Sequence, residues 1–179
     1  KAKAKAEAAA LKAAQKEAKD QVKEAQKVWD DLNMNIQEKK ATPEQIMTEC
    51  KKGQEVLQKA IKSGMLEEKK LGEIYGLSAN LALHPLNNML EAASSKQPFD
   101  TLYFYDNLKY LTDALHNELK YTKVTKGETG NEAQLKAKKI QLAQCGDYYI
   151  YAAQFESACQ RYDRALEAYD RAMKYKELY

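Results

Sequence analysis

His84 and His116 are the two histidines of this chain, and imidazole is the side chain best suited to metal ligation or proton transfer near neutral pH. Neither shares a helical face with acids at metal-ligand spacing. His84 reads as a loop residue ahead of Pro85, and His116 as a surface residue beside Asn117 and Glu118. Cys50, Cys145 and Cys159 form no CxxC pair and read as small buried hydrophobes, with a Cys145–Cys159 bridge as an open alternative. Acid–base work would need paired carboxylates; Asp30-Asp31, Glu67-Glu68 and Asp163 read as solvated helix surface instead. There is no Gly-rich phosphate loop, no GxSxG elbow and no paired Glu-x-x-His of a di-iron bundle. The expectation is a chain with no catalytic residue, no cofactor and no metal, and so not an enzyme.

Recognition chemistry is better supplied. Of the twelve tyrosines, Tyr103, Tyr105, Tyr110 and Tyr121 fall on one predicted helix, and Tyr148, Tyr149, Tyr151, Tyr162, Tyr169, Tyr175 and Tyr179 on the last pair. Tyrosine suits interfaces because a large apolar ring ends in a polar tip. Tyr148 and Tyr149 are adjacent, so at least one must leave the core. Tyr149 and Tyr162 are expected to fill space between helices. Tyr148, Tyr151, Tyr103 and Tyr110 are candidates for groove exposure.

The elements that must position these rings are helices. The 179 residues suit one domain spanning 1–179, and 44% hydrophobic with 31% charged residues is ordinary for a packed protein. Three prolines and seven glycines among abundant Ala, Lys, Glu and Leu argue for helix and against strand. The net charge of +3 comes from interspersed Lys and Glu, which calls for no nucleic acid, and no apolar run reaches the ~20 residues of a membrane span. The chain opens on Lys1 without Met, which is expected of a processed or truncated form.

Residues 1–20 are an Ala/Lys-rich helical extension of a first helix whose apolar stripe is Val22, Ala25, Val28, Trp29, Leu32 and Ile36. Trp29 is expected in the core, although a partly exposed Trp there could serve a partner. Thr42-Pro43-Glu44-Gln45 starts a second helix and Ser63-Gly64 ends it. A third runs over about 66–83 and breaks at Leu83-His84-Pro85, where an insertion to Pro98 is expected to hold a short helix over Pro85 to Ser95 ahead of a Ser94–Pro98 loop. A fourth carries Leu102, Leu108, Leu111, Leu115 and Leu119 and ends before a flexible 125–130 loop. Two more follow, joined around 153–155. One has Leu142, Cys145, Gly146, Tyr149 and Ala153 on a face; the other has Ala158, Tyr162, Ala165 and Tyr169. Gly146 and Ala158 are expected where this last pair touches.

Leu142-x2-Cys145-Gly146-x2-Tyr149, then Phe155, Ala158-x3-Tyr162 and Ala165, resembles the tetratricopeptide repeat over 139–172. Leu142 stands where that motif has Trp, Cys145 where it has Leu, and Asp170 where it has Pro. Leu71-Gly72-x2-Tyr75 is similar to the same motif's first half. The resemblance implies an all-α fold of six long helices: antiparallel hairpins stacked as a tetratricopeptide-like array, one repeat irregular. It further implies a scaffold whose first helices line a groove for a protein or peptide segment. Tyr75, Asn80, Lys138, Lys139, Gln144, Tyr148 and Tyr151 are then the candidate contacts. The whole pattern also resembles repeat proteins exported to the periplasm of gut anaerobic bacteria, implying an exported mature form, with the cytoplasm as alternative. A structural envelope or adaptor bundle without a ligand groove is the competing reading.

Overall fold

A computed structural model of the chain describes residues 1–126 and 132–177. Six helices follow one another: α1 (Ala2–Gln37), α2 (Pro43–Ser63), α3 (Glu68–Ser94), α4 (Thr101–Lys126), α5 (Glu132–Ala158) and α6 (Tyr162–Lys176). There is no strand among the described residues. The protein is all-α. The 127–130 part of the expected loop and Tyr179 lie outside the described residues.

Each helix packs chiefly on its neighbours in the chain, and α1–α2, α3–α4 and α5–α6 form the tightest pairs. Cross-contacts show the antiparallel run: Tyr75 faces Tyr121 and Gly76 faces Glu118 between α3 and α4. Asp147 meets Lys176 and Tyr149 meets Tyr175 between α5 and α6. Two cores result. One joins Ala25, Leu32, Cys50, Leu57, Ile74 and Leu81 from α1, α2 and α3; the other joins α3 to α6 through Leu86, Met89, Phe104, Leu108, Leu142 and Tyr149. No helix among the described residues is long and apolar enough to cross a membrane.

The local signals at α2 act as the sequence suggests. Thr42 Oγ1 accepts from Gln45 N–H at 3.1 Å while Gln45 Oε1 accepts from Thr42 N–H at 3.0 Å, closing a capping box. Gly64 ends the helix at φ 69°, a left-handed position that glycine takes without a Cβ clash. In α1, residues 2–17 are exposed apart from half-buried Ala14, and burial begins at Ala18.

Several local expectations are corrected. His84 and Pro85 do not break α3: Pro85 is buried inside it, and His84 is a helical residue against Trp29, ring centroids 5.1 Å apart. An interior proline costs about 3 kcal/mol. Here Ala82, Leu86 and Met89 hold the helix against α4, and that packing prevails. The short helix expected after the break is therefore the continuous end of α3, and α4 runs on through Thr125 and Lys126.

The joint between the last two helices lies at 159–161, not 153–155. Ala153 is fully buried within α5, and Phe155 packs there on Phe99 at 4.9 Å. The later turn moves the α6 register. Ala165, Ala168 and Ala172 face the core, while Tyr162 is 60% exposed and Ala158 is exposed at the end of α5. Gly146 does sit at the helix contact, but against the Ala172 carbonyl rather than Ala158.

Cys159 is exposed in that turn, not buried, whereas Cys50 and Cys145 are buried and all three are free. Burial pushes the Cys50 and Cys145 thiols up to about 12. A thiol-exchange reagent at pH 8 should therefore label Cys159 at once, and the other two only in denaturant. Fast native labelling of all three would contradict this packing.

Candidate functional site

Buried charge separates the informative groups from the surface. Asp30, Asp31, Glu67, Glu68 and Asp163 are exposed, as solvated helix residues should be. Two carboxylates are not. Glu156 is fully buried on α5, where Oε1 accepts from Tyr105 Oη–H at 2.9 Å and Oε2 accepts from the Arg161 Nε–H. Both oxygens are used, and the pair ties the 159–161 turn to α4. Glu118, on α4, is 8% exposed. Its Oε1 pairs with Lys138 Nζ at 3.0 Å, but its Oε2 is shut from solvent and accepts no hydrogen bond among the described residues.

Room for the Glu118 carboxylate comes from Gly76. A Cβ at that position would lie 3.0 Å from Oε1, so a larger residue would push the carboxylate aside. Glu118 thereby lines an open cleft of about 470 Å³ between four helices. Gln26 and Trp29 come from α1, Glu73, Gly76, Leu77, Ala79, Asn80 and Leu83 from α3, Leu111 and Leu115 from α4, and Lys138, Gln141, Gln144 and Tyr148 from α5. The floor is apolar and buried at Leu77, Ala79, Leu111 and Leu115. The rim is polar. Tyr148 is tied to α3 by donating its hydroxyl hydrogen to Asn87 Oδ1 at 2.8 Å, and burial pushes its phenol up to about 12.

Four of the seven candidate contacts, Asn80, Lys138, Gln144 and Tyr148, meet in this cleft. Tyr75 does not line it: its ring stacks on Tyr121, centroids 6.0 Å apart. Lys139 is exposed elsewhere on α5. Tyr151, about one turn beyond Tyr148, opens onto a second, more apolar cleft with Leu90, Phe99, Phe104 and Phe155. Of the other two tyrosines expected in a groove, Tyr103 is half-buried and donates to Met47 O at 3.4 Å, bridging to α2, while Tyr110 is half-buried outside both clefts. Leu71 and Gly72 are half-buried on α3. Leu71 packs against the first core.

Comparison with protein-family models, with curated proteins and with solved structures finds no match for this chain. The site therefore has to be read from its own chemistry. Among the described residues no three His, Cys, Asp or Glu side chains cluster closely enough to hold a metal ion.

Glu118 and Gly76 were missed by sequence reasoning, whereas Trp29 is half-buried and lines the cleft, the partly exposed state in which it could serve a partner. Both missed residues left a signal. Leu108, Leu111, Leu115 and Glu118 recur at steps of three, four and three, placing an acid on the apolar stripe of α4. Gly76 is a glycine in a helix interior, which marks a close approach.

Proposed function

We propose that this chain is a protein-interaction module, not an enzyme, which holds a protein or peptide segment in the cleft between α1, α3, α4 and α5. In this proposal its three hairpins stack as a tetratricopeptide-like array. The observation that carries the reading is the meeting of Asn80, Lys138, Gln144 and Tyr148 with Trp29 over one apolar floor. An apolar floor with a few convergent polar groups is what holds and orients a bound segment. Glu73 and Glu118 against Lys138 give the cleft an acidic balance, which suits a protein segment and disfavours a nucleic acid. The resemblance to exported repeat proteins favours a periplasmic setting, with the cytoplasm as the alternative.

Selection of a displayed peptide library on the purified chain tests this. Recovered peptides should lose about 2 kcal/mol or more of binding on Tyr148→Ala, as hot-spot aromatics do, and little on Tyr162→Ala on α6. Recovered peptides indifferent to Tyr148 would sink the assignment.

The outer face of α6 favours a second reading, a structural adaptor bundle. Tyr162, Leu166, Tyr169 and Met173 are 60%, 63%, 40% and 62% exposed along one apolar stripe. Sedimentation showing assembly at micromolar concentration, with no peptide recovered, would support that reading over the first.

A further inference from the structure

Among the described residues Glu118 is the buried carboxylate whose bonding is incomplete. Lys138 supplies one ammonium to Oε1, and Oε2 receives nothing from the described residues. A buried acceptor without a donor is costly, so the unfilled oxygen points to a donor that arrives from outside. Glu156 shows the completed arrangement within the same molecule: donors on both oxygens, one of them an arginine. A lysine is a point charge and serves one oxygen well. A guanidinium is planar, and its paired N–H groups match both oxygens of a carboxylate at once.

Access is compatible with exchange. Lys138 is 32% exposed on its side chain and sits on the wall of the open cleft, so its flexible stem can turn to water. Trp29 and Tyr148 line the same cleft, and aromatic rings attract planar cations. Glu73 adds a second negative group to the lining.

We propose that this cleft is an arginine-reading site. A partner's guanidinium displaces Lys138 and takes both oxygens of Glu118, while Lys138 holds the carboxylate in the free state. The proposal rests on the reading of the cleft as a peptide-binding groove and adds the side chain that the groove selects.

Trp29 is the chain's single tryptophan, so its emission reports on this cleft alone. The 179-residue chain would be titrated with N-acetyl-arginine amide, N-acetyl-lysine amide and N-acetyl-citrulline amide, the last an uncharged mimic of arginine. The arginine amide should give a saturable change. The lysine amide should bind about tenfold more weakly, through one charge-assisted bond in place of two, and citrulline should be silent. Glu118→Gln should abolish the arginine response while the melting curve keeps its cooperative shape. Lys138→Met should strengthen arginine binding severalfold, because the internal competitor is gone; a merely structural ion pair would not behave so. Equal responses to arginine and citrulline amides, an undiminished response in Glu118→Gln, or weaker binding in Lys138→Met would each overturn the proposal. Displayed peptides that depend on Tyr148 yet carry no arginine would overturn it too, and would leave the peptide-binding reading standing.

Discussion

Tyr149→Ala should remove about 3–5 kcal/mol of stability, the range for truncating a large core aromatic. Tyr149 is 6% exposed and stacks on Tyr175 with centroids 5.4 Å apart, inside the core that joins α3 to α6. Its neighbours on α5 should behave differently. Tyr151 is 51% exposed, so Tyr151→Ala should cost within about 0.5 kcal/mol, and half-buried Tyr148 should fall between. Chemical denaturation of the three variants checks this, and equal losses would place all three rings in the core. The pH dependence follows the same burial. Burial, with Tyr175 alongside, pushes the Tyr149 phenol from 10 up to about 12. The unfolded chain thus releases this proton before the folded one. The stability linked to the neutral phenol is complete below pH 10 and is lost as pH rises through 12, and Tyr149→Ala should flatten that part of the curve.

Much of the helical architecture could be read from the residues because its signals are local. A capping box at Thr42 and Gln45 needs four residues, and a left-handed end at Gly64 needs one. The stripe from Val22 to Ile36 packs on one side, so its period survives in the sequence. What was misread depends on partners distant in sequence. Pro85 is a break signal in isolation, and it is the core around Ala82, Leu86 and Met89, built from helices distant in sequence, that keeps α3 intact. The α5–α6 turn carries no glycine or proline. Gln160 takes φ 62°, and Lys39 and Lys96 take φ 57° and 55° in the turns after α1 and α3, so three of the chain reversals use long polar side chains where punctuation was sought. In addition, α5 is covered on two sides by α4 and α6, which spreads its buried residues and blurs its period.

The cleft was half legible for a related reason. Asn80, Lys138, Gln144 and Tyr148 are polar or aromatic on outward faces, which type and spacing reveal. Glu118 is the opposite case. A glutamate among Asn117, His116 and Lys120 looks solvated, and its burial is set by a glycine on another helix, 42 positions earlier at Gly76. No local pattern reports such a pairing. Helical spacing puts Glu118 on the apolar stripe of α4, but its residue type and neighbours assign it to the surface, and only the fold decides between the two.

The contact between α5 and α6 makes the sharpest packing test. Gly146→Val should cost about 3 kcal/mol, the upper part of the usual range for overpacking. An ideal Cβ at Gly146 would come within 2.9 Å of the Ala172 carbonyl oxygen and 3.0 Å of Lys176 Cγ. The lysine stem can swing away; a backbone carbonyl moves only if α6 moves with it. That shift would pull Ala168, Ala172 and Tyr175 off their seats and disturb the Lys176–Asp147 pair at 2.7 Å. Replacing glycine in a helix interior gains some backbone entropy, at most about 1 kcal/mol, so the clash dominates. Ala158→Leu is the matched control. The repeat-like spacing puts Ala158 against Gly146, where leucine would overpack the pair, yet Ala158 is exposed at the end of α5. Leucine there should change stability by no more than about 0.5 kcal/mol. Melts showing Ala158→Leu as damaging as Gly146→Val would return the helix joint to 153–155 and overturn the α6 register on which this contact depends.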